Sequence, residues 1–119
     1  MALQFNATIT YIGELALDAL EDNMLILFNE TAPEDVASYC FVHDQGTASG
    51  NITKESTLMI ADKDYIVTAV GEAANQNLME LGHITIKFDG RSEPEFPGTI
   101  HVIGHCPLTI KLGDSIIFG

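Results

Sequence analysis

His43 ends a short apolar run, Tyr39-Cys40-Phe41-Val42, and Asp44-Gln45-Gly46 follows at once. Imidazole is the side chain whose ordinary pKa lies nearest neutrality, so its surroundings decide whether it acts as nucleophile, base or cation. The first basic residue of the chain is Lys54, whereas eight carboxylates lie in residues 1–53. A titratable ring at the end of an expected strand, in an otherwise acidic half, suits nucleophilic or proton chemistry done with a basic partner.

Three further histidines are His83, His101 and His105. A lone histidine in a β protein is more often a hydrogen-bonded structural residue than a catalyst. His101 and His105 stand four apart and would share a strand face. With Cys106 they could seed a zinc site. A structural zinc site needs four protein ligands, however, and close-spaced Cys/His pairs are absent. Gly104 is also expected to break the strand between the two histidines, so no metal is assigned.

The carboxylates are many but scattered. Asp62 and Asp64 flank a turn and lack the further oxygen ligands of a calcium loop. Glu93 and Glu95 fall in a proline-bearing loop and are expected to be solvated. No GxSxG, P-loop or dinucleotide-binding glycine pattern occurs, which argues against an ATP-using kinase.

His43 is thus left as a nucleophile that would take its group from another macromolecule. A neutral imidazole accepts a phosphoryl group when one nitrogen attacks and the other donates to a carbonyl or carboxylate, which fixes the tautomer. With so few basic residues, the phosphoryl oxygens would need backbone N–H groups, a hydroxyl or a second histidine. The Asp44-Gln45-Gly46 turn could offer backbone donors, and His83 or His101 the second imidazole.

Composition narrows the partners. The formal charge of −12 makes nucleic acid and anionic membranes poor partners and a basic protein a good one. The longest wholly apolar stretch, Met24 to Phe28, is far short of the ~20 residues that cross a bilayer. The N-terminal residues read as no signal peptide, so a cytoplasmic location is expected. There, Cys40 and Cys106 would stay reduced.

The elements that must position these residues read mostly in period two. Alternation at Phe5, Ala7, Ile9 and Tyr11 predicts a strand ending at Gly13. Residues 14–22 suit a short helix or turn, and Pro33-Glu34-Asp35 suits the first turn of another. Strands are expected at residues 24–28, 40–43, 51–53, 57–60, 65–70, 84–88, 99–103 and 115–118. Asp62-Lys63-Asp64 marks a turn that suits a hairpin. Residues 73–81 form the best helix candidate, closed by Gly82 as the residue past its end. The expectation is one mainly all-β domain over 1–119, a small β-barrel or sandwich with one or two short helices.

Three stretches carry a resemblance: IGELALDAL at 12–20, APEDVASYCFVH at 32–43 and YIVTAVGEAANQNLMELGHITIKFDGRSEPEFPGTIHV at 65–102. In them the chain resembles the glucitol/sorbitol-specific IIA component of the bacterial sugar phosphotransferase system. In that family the histidine ending the YCF-x-H segment is phosphorylated, which maps onto His43. The resemblance implies a relay without ATP or cofactor. The phosphocarrier protein HPr would phosphorylate His43, and the IIB domain of the IIB/IIC permease would take the group on. Asp44, His83 and His101 are the candidate supporting residues. The oligomeric state is open, with a homodimer among the options.

Two other readings compete. Pro97-Gly98-Thr99-Ile100-His101 resembles the second motif of metal- or sugar-binding cupin barrels, but no HxH motif accompanies it. A regulatory domain that kept the fold and lost transfer would not need His43.

Overall fold

The computed structural model describes residues 3–119. Strands β1 (Phe5–Ile12), β2 (Met24–Asn29), β3 (Phe41–His43), β4 (Thr47–Ala48), β5 (Thr57–Ile60), β6 (Lys63–Val70), β7 (Ile84–Lys87), β8 (Thr99–Ile103) and β9 (Ser115–Phe118) make one sheet. Its order is β3-β2-β7-β8-β6-β5-β9-β1-β4, and an added β3–β1 pairing closes all but β4 into a barrel. Closure leaves the barrel strands without free edges. Of the two architectures expected, barrel or sandwich, the barrel is the one formed.

The alternation seen in the sequence sets the inside. Phe5, Ala7 and Ile9 of β1 are buried, as are Leu58 and Ile60 of β5 and Ile116 and Phe118 of β9. Each of these Phe, Ile and Leu side chains contributes about 1.5–3 kcal/mol by leaving water, and Ala7 less. β2 and β3 are buried on both faces. Leu27 and Phe41 join the barrel core, whereas Phe28, Cys40 and Val42 form a second cluster against Val36 and Ala37. Their continuous apolar runs reflect this two-sided cover.

Among the described residues three short helices form, one at each stretch that suited a helix: α1 (Ala16–Glu21), α2 (Glu34–Ala37) and α3 (Ala74–Leu81). The Pro33-Glu34-Asp35 signal does start α2, but the helix is a single turn that carries the chain from β2 to the parallel β3. β7 and β8 are also parallel, joined by the proline loop. Such pairs need crossovers rather than tight turns.

The β5–β6 pair is a hairpin, with Ile60 opposite Lys63. Lys63 and Asp64 therefore belong to the strand, and the turn sits one residue earlier, with Ala61 at φ 53°. Residues 51–53 are not a strand. Ile52 is held instead by the Asn75 side chain, which accepts from its N–H at 2.8 Å and donates to its carbonyl at 3.1 Å. That amide imitates a strand neighbour, so the alternation there satisfies a helix side chain. Gly82 ends α3 in the left-handed conformation (φ 60°), as expected, and its N–H returns to Leu78 O at 2.9 Å.

Candidate functional site

β3 delivers His43 to the mouth of the barrel. The strand is short, and its side chains alternate between the barrel core (Phe41), the outer cluster (Val42) and the core side again (His43). His43 pairs across the sheet with Ile9 of β1 and Asn29 of β2. Its ring meets that of Phe5 edge-on at 5.3 Å and has no exposed surface.

Both ring nitrogens are engaged. Nε2 lies 2.8 Å from the Gly82 carbonyl, and Nδ1 accepts the Gln45 N–H at 3.0 Å. A carbonyl can only accept and an N–H can only donate, so the proton sits on Nε2 and the lone pair on Nδ1. Burial lowers the pKa of the ring below 6.5, opposed by the Gly82 carbonyl and by the nearby charges of Asp44 and Glu30. The ring is accordingly neutral near pH 7, the form that carries a nucleophilic lone pair.

Gln45 ties the turn to the rest of the site. Its Nε2 donates to the carbonyls of Leu78 at 3.0 Å and Met79 at 3.4 Å. Its Oε1 accepts from Asn29 Nδ2 at 3.0 Å. The last carbonyls of a helix lack partners within it, and Gln45 supplies one to α3. Gly82 has no room for a side chain: a Cβ there would lie 2.6 Å from His43 Nε2 and collide with Gln45 Oε1.

Of the expected supporting residues, Asp44 lies beside the ring and acts on the turn. Its Oδ1 accepts from Thr8 N at 3.0 Å and Gly46 N at 3.1 Å. His83 follows Gly82, but its Nδ1 bonds Leu27 O at 2.9 Å and its ring stacks on Phe28 at 4.6 Å. His101 stands on β8, with β2 and β7 between it and β3. Its Nδ1 meets Asp89 Oδ1 at 2.8 Å, and its Nε2 accepts Glu95 N–H at 3.1 Å. Neither imidazole hydrogen-bonds to His43; the bonds above direct both rings to other groups. Glu95, expected to be solvated, also pairs with Lys87.

His101, the histidine of the cupin-like stretch, has no free lone pair, and Cys106 Sγ donates to Leu20 O at 3.4 Å. Among the described residues no cluster of three or more His, Cys, Asp or Glu side chains could hold an ion. Burial pushes the Cys40 thiol up to about 11, so it stays protonated beside Val36 O.

Asn29, Gly82 and the Gln45 side chain were missed by reading the sequence. Gly82 was visible only as a helix end, and no local pattern joins residues 29, 45 and 82.

The sequence model of the family described as "PTS system glucitol/sorbitol-specific IIA component" matches residues 4–117. The chain belongs to this family. The glucitol/sorbitol-specific EIIA components of Escherichia coli K12 and Shigella flexneri are each 47% identical over 118 residues, spanning 99% of this chain and 96% of theirs. A crystal structure of the PTS system IIA component from Enterococcus faecalis V583 superposes with a TM-score of 0.77 at 29% identity. It covers 93% of this chain, which in turn covers 96% of it. As a IIA component, the protein has a phosphotransferase relay role and acts with other components of that system. Among the described residues no helix is long and apolar enough to cross a membrane.

Proposed function

We propose that this IIA component is a cytoplasmic, single-domain phosphoryl carrier that uses no cofactor. It takes a phosphoryl group from phosphorylated HPr onto His43 and passes it to the IIB domain of a glucitol/sorbitol permease. The polyol is phosphorylated as it enters. The observation that carries this reading is the neutral, single-tautomer imidazole of His43, with a backbone N–H beside its lone pair. Transfer between two imidazoles asks little more of the protein than in-line positioning and donors for the phosphoryl oxygens.

The surroundings support a protein donor. Asp44 and Glu30 give the neighbourhood negative charge, within a chain of net charge −12. The α3 stretch bound by Gln45 carries exposed Met79 and Leu81, apolar surface that a docking protein could cover. The names of the curated relatives supply the polyol.

Reconstitution tests the whole relay. Phosphoenolpyruvate, its kinase, HPr and membranes bearing the IIB/IIC permease are mixed with labelled glucitol. Glucitol phosphate should form only when the chain is added, and His43→Ala should abolish it. Undiminished product with His43→Ala would refute the reading.

A further inference from the structure

The alternation along β1 would carry Tyr11 into the barrel with Phe5, Ala7 and Ile9, yet Tyr11 is 52% exposed. The strand register gives the reason. Ile9 lies opposite His43 and Tyr11 opposite Val42, so Thr10 is an extra residue that bulges from β1. A bulge re-aims the side chains beyond it, and bulges gather beside active sites. Here an aromatic ring leaves the core, one residue pair away from His43. Paired residues of antiparallel strands share a face, so Tyr11 stands on the outer face with Val42.

Tyr11 forms part of a cleft of about 270 Å³, lined also by Thr10, Glu30, Ala32, Ala37 and Val42. Its floor is apolar: Val42 belongs to the outer cluster, and Ala32 and Ala37 pack against that cluster. Its rim is acidic. Glu30 is exposed, as are Glu34 and Asp35 of α2. Glu30 is also close enough to act on the ring of His43. The volume falls below the roughly 300–1,000 Å³ of small-molecule sites, which favours one protruding side chain over a free ligand.

We propose that this cleft anchors the phosphoryl donor of the relay, a basic protein that seats one apolar side chain against Tyr11 and Val42 and sets a lysine or arginine against Glu30. The inference rests on the relay reading above and adds to it the docking surface and two residues that select the partner. The donor carries the phosphoryl anion towards an acidic chain, and that approach is repelled. Attraction must come from the rest of the donor's surface, as an apolar anchor flanked by cations. Tyrosine suits the anchor site, because it offers a large contact area at little cost in side-chain entropy.

Rapid-quench transfer over a range of phosphorylated HPr concentrations reads docking. Phosphorylation by phosphoramidate, a small donor that needs no docking, reads the ring alone. Tyr11→Ala should raise the half-saturating concentration of phosphorylated HPr about tenfold at an unchanged plateau rate, the loss of one good anchor. With phosphoramidate its rate should equal that of the wild type. Glu30→Lys should raise the same half-saturating concentration, and more at low salt than at high. An unchanged value in either variant would overturn the inference and leave the relay intact. Equal slowing of Tyr11→Ala with phosphoramidate would mean a disturbed ring and would overturn it too. A Tyr11→Ala defect confined to onward transfer would assign the cleft to the IIB domain instead. Wild-type protein that accepts from phosphoramidate but never from HPr would overturn the relay itself.

Discussion

At His43 the decisive balance is between desolvation and charge. Burial lowers the ring's pKa, and the Gly82 carbonyl and two carboxylates do not reverse it. The consequence for stability has a definite sign. Below pH 6.5 the unfolded chain takes up a proton that the folded ring refuses, so stability falls as pH drops from there towards the lowered native value. His43→Gln should flatten this part of a stability–pH profile measured by urea unfolding, while an unchanged slope would assign the loss elsewhere. The lowered pKa should make phosphoryl acceptance fall off at a lower pH than for an exposed ring, which loses its lone pair as pH drops through about 6.5. Rapid-quench sampling with pre-phosphorylated donor checks this.

At the scale of elements, the site is a junction of β2, β3 and the end of α3. Gly82 serves both helix and ring, so Gly82→Ala should destabilise by about 1–2 kcal/mol from the left-handed backbone alone, with a further cost from the collision with His43 and Gln45. Acceptance should fall with it, measured on the folded fraction. His101 makes the contrasting case. Its buried ring bridges Asp89 and Glu95, so His101→Ala should cost roughly 2–4 kcal/mol in thermal or urea unfolding. Phosphoryl acceptance by folded protein should be unchanged, because none of its hydrogen bonds reaches His43. A specific loss of acceptance would restore His101 to the site.

These two residues also mark what could be read from the sequence. The strand ending at His43, the donor turn after it and the glycine ending α3 were legible because alternation, turn chemistry and helix caps are local. The meeting of residues 29, 45 and 82 was not, since it depends on which strands become neighbours. His101 looked eligible by residue type, but β2 and β7 intervene. The Ile52 segment alternated like a strand and was claimed by Asn75 instead.

For the whole molecule, the barrel provides a rigid frame and the charge provides the approach. Eight strands close on themselves through β3–β1, the pairing that also fixes His43 opposite Ile9. A net charge of −12 on so small a chain should speed encounter with a basic donor. Raising salt from about 0.01 M to 0.15 M shortens the screening length from roughly 30 Å to 8 Å. The second-order rate of phosphoryl acceptance should therefore fall several-fold, and a rate insensitive to salt would remove electrostatic steering from the account.

The central claim is that His43 carries the phosphoryl group. Intact mass spectrometry of the chain after incubation with phosphoenolpyruvate, its kinase and HPr tests it most directly. One acid-labile phosphoryl group should appear on the wild-type protein and be absent from His43→Ala. A phosphoryl group that persists in His43→Ala would contradict the account.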